Sequence, residues 1–254
     1  MRAVVAILLL VIGFPAISQK SKQDNESYYI FDRNWKACKM DSAAFLSYVK
    51  KLNDSAYQWY NYYFSGPLIS VETYKDKTNT VYNGFMAYYD EDGRLDSAGY
   101  ARNGRRDRSW YFYTDTLSVY LQKDYDNGVL IKTIDVEEQK KEEAEQMESQ
   151  HGSDVVETEA EFKGGTGAWT KYLQKNIQYP ERALNLDKAG KVMMQFVIDT
   201  DGSVKDIMIA QSVEFSLDKE AWRLVEQSPI WQPALQNGKY VKAYRRQPVN
   251  FALQ

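Results

Sequence analysis

The stretch GKVMMQFVIDTDGSVKDIMI, residues 190–209, constrains the fold more than any other part of the chain. Val192, Met194, Phe196 and Ile198 alternate with Met193, Gln195 and Val197, the period-2 pattern of a strand with one fully apolar face. Asp201-Gly202 turns the chain, and Val204–Ser212 returns as the partner strand. Gly167–Ile177 places Trp169, Tyr172, Leu173 and Ile177 on one helical face. Pro180 ends that helix, because the residue before a proline is pushed out of helical geometry. It also suits the first turn of a short second helix, PERALNL. Leu217–Gln227 forms another amphipathic helix, with Leu217, Ala221, Leu224 and Val225 inward, and Pro229 stops it. Trp231, more naturally core than ligand surface, and Pro233 lead to an Asn237-Gly238 turn and a last strand, Tyr240–Leu253. The sum is α+β: two helices on a small antiparallel sheet. The last strand is expected beside the first with its outer edge free, since Pro248 lacks the N–H a central strand must donate. A free edge is a template for an extended partner strand.

Upstream the pattern differs. Asp41–Leu52 (DSAAFLSYVKKL) reads as an amphipathic helix, with Ala44, Phe45, Tyr48, Val49 and Leu52 at helical spacing. From Tyr57 to Ile134 short aromatic strands alternate with Gly turns. Tyr89 maps onto Tyr113 and Gly104 onto Gly128, a period of about 24 residues, so this region is expected to be hairpins stacked in a mainly-β repeat module. Val136–Glu157 is almost wholly charged or polar and reads as a linker that admits a solvated helix. The expected organisation is a signal peptide at 1–18, a helical segment at 19–56, β-hairpin repeats at 57–135, a charged linker at 136–158 and the α+β unit at 159–254.

Several classes of function are disfavoured. The net charge of −3 gives no electrostatic case for nucleic acid. The single His, His151, lies in a polar segment, so neither a histidine-based catalytic site nor a His-rich metal site is expected. No pair of carboxylates stands out by spacing. We therefore expect no catalysis, no metal and no cofactor. Cys38 is the only cysteine, so no internal disulfide forms, and a structural thiol or an intermolecular link remain for it. The N-terminus, MRAVVAILLLVIGFPAISQ, has a charged start, a short apolar core and small residues at Ala16 and Ser18. It reads as a cleavable export signal leading to the periplasm, with an uncleaved inner-membrane anchor as the alternative.

Two resemblances follow from quoted residues. YYDEDGRL, NGRRDRSWYFY and NGVL resemble MORN-type repeats of YwqK-like antitoxin-repeat proteins, although Arg108 stands one period after Gly84, where the pattern expects glycine. EFKGG (161–165), IQYPERA (177–183), the hairpin 190–209, and LDKEAWRLVEQSPIWQPALQNGKYV (217–241) followed by PVNFAL resemble the TonB C-terminal domain. That family grips a short strand of outer-membrane receptors by adding it to the closing strand. The resemblance therefore implies a protein partner strand, of the TonB-dependent receptor type, bound at Val241, Lys242, Ala243, Tyr244, Arg245, Arg246, Val249, Asn250 and Phe251. Gln178 and Tyr179 flank that contact in the family and are carried over as further candidates. Coupling to an ExbB/ExbD-type motor would be indirect, because a transducer needs an anchor and a long Pro-rich span, and this chain has only 6 Pro. The linker reaches at most about 75 Å at ~3.5 Å per residue. A scaffolding role in the envelope, and a homodimer through the free edge, stand as alternatives.

Overall fold

The computed structural model describes residues 25–149 and 158–253. The expected signal peptide and His151 lie outside these residues. Nine consecutive strands make one antiparallel meander in chain order: β1 (Glu26–Phe31), β2 (Phe45–Asn53), β3 (Ala56–Tyr63), β4 (Leu68–Tyr74), β5 (Tyr82–Tyr89), β6 (Leu95–Arg102), β7 (Arg105–Tyr113), β8 (Val119–Asp126) and β9 (Val129–Asp135). Helix α1 (Val136–Ser149) follows, its first turn capped by Asp135 Oδ1, which accepts from the Glu137 and Glu138 amides. Then come α2 (Gly165–Asn176), α3 (Glu181–Asn185), β10 (Gly190–Ile198), β11 (Val204–Gln211), α4 (Phe215–Glu226), the small hairpin β12 (Ala234–Gln236) and β13 (Lys239–Val241), and β14 (Ala243–Phe251). The second sheet runs β11-β10-β14, so the final strand pairs beside the first strand of the hairpin. The α+β class holds.

The segment expected as a helix at 41–52 is instead a 3₁₀ turn, Met40–Ser42, and the long strand β2, and the sequence before it forms β1. The physical reason is two-sided cover. Leu46 and Tyr48 face the C-terminal unit, whereas Val49 packs with Trp59 and Tyr74 on the other face. A strand apolar on both faces loses its alternation, and a short apolar run then mimics helical spacing. Pairing with both β1 and β3 settles the matter.

The 24-residue period is visible in the backbone. Asn79, Asn103 and Asn127 all take positive φ, and Gly104 and Gly128 follow the last two in tight hairpin turns. Gly93 and Leu117, one period apart, share the left-handed position of equivalent turns, with φ of 75° and 63°. Arg108 adopts φ 59° at the place of Gly84, and its guanidinium lies 5.2 Å from the Tyr100 ring centre. Both positions lie inside strands and take positive φ, 136° at Gly84, so the left-handed side of the backbone map is kept while the angle itself differs. Gly99 is required for a different reason: a Cβ there would lie 2.5 Å from the Trp110 ring.

The two sheets share one core. Tyr60, Tyr62, Leu68, Val71, Ala87 and Leu95 of the large sheet join Ile209, Leu217, Ala221 and Leu224 in a continuous cluster. The polar seam is equally specific. Leu68 N donates to Ser212 Oγ at 2.7 Å, and Ser212 Oγ donates to Asp218 Oδ2 at 2.5 Å. Tyr89 donates to the Ile209 carbonyl at 2.7 Å, and Ser212 N to the Gly93 carbonyl at 2.8 Å. Glu214 is fully buried, and Arg182 Nε reaches it at 2.6 Å while Arg182 Nη2 reaches the Phe64 carbonyl. Lys219 meets Glu26 at 3.0 Å and sits over the rings of Tyr28 and Tyr48.

Burial pushes the Asp218 carboxyl up to about 7 from an ordinary value of 3.8, against the bonds from Ser212 and Val213. The folded state therefore holds a proton that the unfolded chain releases. This contribution is fully present below pH 3.8 and is lost as pH rises to about 7, at about 1.4 kcal/mol per unit of separation. Denaturant melts from pH 4 to pH 7.5 should show stability falling, and D218N should flatten that slope. A second outcome follows from Arg182: R182A strands a buried carboxylate and should cost about 3–5 kcal/mol in the same assay.

Candidate partner-strand interface

The small sheet has two outer strands, and they differ in regularity. The β10–β11 ladder slips register twice, between Met193 and Met194 and between Gln195 and Val197. Asp206 in β11 adopts φ 48°, and the end of that strand is met by Arg94 through a bridge to Gln211. The β10–β14 ladder runs unbroken from Gly190↔Phe251 to Ile198↔Ala243. Among the described residues β14 pairs with β10 alone, so its other edge is the regular one left open. Pro248, with no N–H to donate, belongs to the set whose N–H positions face away from β10. By alternation that set includes Tyr244, Arg246 and Asn250.

The candidate residues divide by what their side chains do. Val249 and Phe251 are buried, 0% and 3% exposed, and face the helices beside Val192 and Gly190. They offer backbone only. Tyr244 is 77% exposed, and Arg246 and Asn250 are exposed on the opposite face. Arg245, opposite Phe196, pairs with Glu159 at 2.7 Å, but its Nε is buried without a partner. Val241 lies in β13, not in the closing strand, and Lys242, between the two strands, pairs with Asp199 at 3.4 Å. Ala243 opens β14 opposite Ile198.

Gln178 and Tyr179 occupy a turn between α2 and α3. The Gln178 amide donates to Glu220 Oε1 at 2.7 Å, and its side chain is exposed. Tyr179 donates to the Lys188 carbonyl at 2.6 Å, and its ring meets Phe251 edge-on at 5.9 Å. This turn therefore buttresses the end of β14. On its other side it borders a cavity of about 500 Å³ between α4 and the large sheet, lined also by Tyr48, Tyr60 and Trp222.

Trp231 is core, as expected: 2% exposed, with Phe162, Trp169 and Phe196 around it at 5.2–5.3 Å. Gly202 lets the hairpin pass it, since a Cβ there would stand 2.2 Å from the Trp231 carbonyl. Nothing in the residue pattern announces that the large sheet reaches this site. Tyr113 of β7 hydrogen-bonds with Gln195 of β10, and burial pushes its phenol up to about 12 against the pull of the Arg246 charge. A run of tyrosines on a repeat strand carries no signal of which domain they meet.

The family of Gram-negative bacterial TonB protein C-terminal domains matches residues 175–253. That segment holds the last residues of α2 and everything from α3 through β14. The family is one of non-catalytic, energy-transducing domains, and it is associated with the bacterial envelope. The match does not extend to the nine-stranded sheet. No curated protein and no solved structure matches the chain.

Tyr179 and Gln178 can be told apart by stability. Y179A removes the ring that supports Phe251 and should cost about 3 kcal/mol, the scale of an aromatic truncation. Q178A leaves the backbone bond to Glu220 in place and should stay within about 0.5 kcal/mol. Urea denaturation of both variants checks this.

Proposed function

We propose that this protein is a non-catalytic, TonB-like component of the bacterial envelope that binds an extended strand of a partner protein along β14. The observation that carries the reading is the straight, open edge of β14 in a segment that matches the TonB C-terminal family. Strand addition needs outward N–H and C=O groups at alternate positions, and β14, nine residues long, presents outward N–H groups at Tyr244, Arg246 and Asn250. A segment of a TonB-dependent outer-membrane receptor is the partner class this reading names, with the chain working in the periplasm. No helix among the described residues is long and apolar enough to cross a membrane. A pull from an ExbB/ExbD-type motor would therefore reach this domain through another protein or through the segment preceding Asn25.

A second reading has its own observation. Strand β9 is the outer strand of the large sheet, and Val129, Leu130 and Ile131 are exposed there by 64%, 49% and 65%. Three adjacent apolar residues on an outer strand suit a scaffold that holds another protein at that end.

N250P separates the two. It removes one outward N–H from β14 and leaves β9 untouched. Partner capture from envelope extracts, with crosslinking and identification of the captured chain, should fall at least tenfold while the melting temperature stays within a few degrees. Full capture of receptor by folded N250P would sink strand addition at β14. Loss of capture only in V129T/I131T would favour the scaffold.

A further inference from the structure

The β14 edge carries an uncompensated charge. The last acidic residue of the chain is Glu226, and beyond it stand Lys239, Lys242, Arg245 and Arg246. The whole chain is net negative, so this concentration runs against the average. Two of the four cations are neutralised from elsewhere, Lys242 by Asp199 and Arg245 by Glu159. Among the described residues Arg246 and Lys239 have no carboxylate partner, and neither has Lys191, which stands opposite Asn250. Arg246 is also held in place. Its Nε donates to Gln195 Oε1 at 2.6 Å. The two terminal nitrogens of that guanidinium are left for another acceptor. A fixed guanidinium matches a carboxylate in geometry as well as in charge. Tyr244, two residues away on the same face, offers an exposed ring of the kind that anchors an apolar side chain.

We infer that the strand bound at β14 is an acidic one: an extended peptide segment with a carboxylate side chain beside Arg246 and an apolar side chain beside Tyr244. The inference rests on the strand-addition reading above and adds the chemistry of the partner. It also argues against a second copy of this chain as the occupant, since β14 carries two arginines and no carboxylate to offer Arg246. The bland role for the same cations is to protect an open edge from unwanted pairing. The two roles differ in what they predict for a carboxylate.

The test uses the full chain and capped ten-residue peptides of alternating valine and threonine. The peptides carry one central Glu, Gln or Lys and are titrated by calorimetry at low and high salt. The Glu peptide should bind about two- to fivefold tighter than the Gln peptide, the scale of an exposed ion pair, and the Lys peptide weakest. High salt should shrink the difference. R246Q should abolish the Glu preference, bringing the Glu and Gln peptides to the same affinity. Equal binding of Glu and Gln peptides, or a Glu preference that persists in R246Q, would overturn the inference and leave the cations as guards of the edge. Binding of none of the three would overturn strand addition together with it.

Discussion

Everything in this molecule leans on three groups in a row: the Leu68 amide, the Ser212 hydroxyl and the Asp218 carboxyl. All three are buried, and each satisfies the next. A buried polar group without a partner costs about 1–3 kcal/mol, so the row holds only when the two sheets are in register with one another. Leu68 begins a strand of the large sheet, Ser212 follows the end of β11, and Asp218 lies in the first turns of α4. The row therefore fixes three elements at once. Around it the aromatic rings of Tyr28, Tyr48 and Tyr62 close on Phe215, and Gly93 passes the Ser212 carbonyl at a distance no side chain would permit.

That joint changes the meaning of the strand edge. Seen alone, the C-terminal unit is a small sheet with helices on one face. Seen with the large sheet, the other face of β10 and β14 is bordered by β7 through Tyr113, and the helical turn that carries Arg182 is tied to the Phe64 carbonyl. The edge of β14 is left open, but little around it is left loose. Preorganised edges lose less on binding, because the ordering has been done in advance.

Much of this was legible in the residues. The alternation in 190–198, the Asp201-Gly202 turn, the proline at 180 and the inward face of α4 each state their own structure, and together they state the order β11-β10-β14. The repeat spacing also announced itself, and the backbone repeats it even where Arg108 and Leu117 replace glycine. Two things were hidden. Strand β2 looked helical because it is covered on both faces, which erases the period that separates the two kinds of element. The joint between the sheets was hidden because Ser212, Asp218 and Glu214 are polar residues in ordinary places on a hairpin and a helix. Only the packing of a distant strand turns them into buried ones. In the site itself, the closing strand was readable and its backbone role with it. The division of β14 into buried Val249 and Phe251 and exposed Tyr244, Arg246 and Asn250 needed the register.

The unbroken ladder between β10 and β14 has a mechanical consequence. A strand laid along β14 and drawn along its own axis would load its hydrogen bonds in shear, all together, and not peel them one by one. The slips and the kink at Asp206 leave the β11 side without that property. Shear would pass from β14 into β10, and from there through α4 into the nine-stranded sheet, so the tension would be shared by the whole body and not by one hairpin.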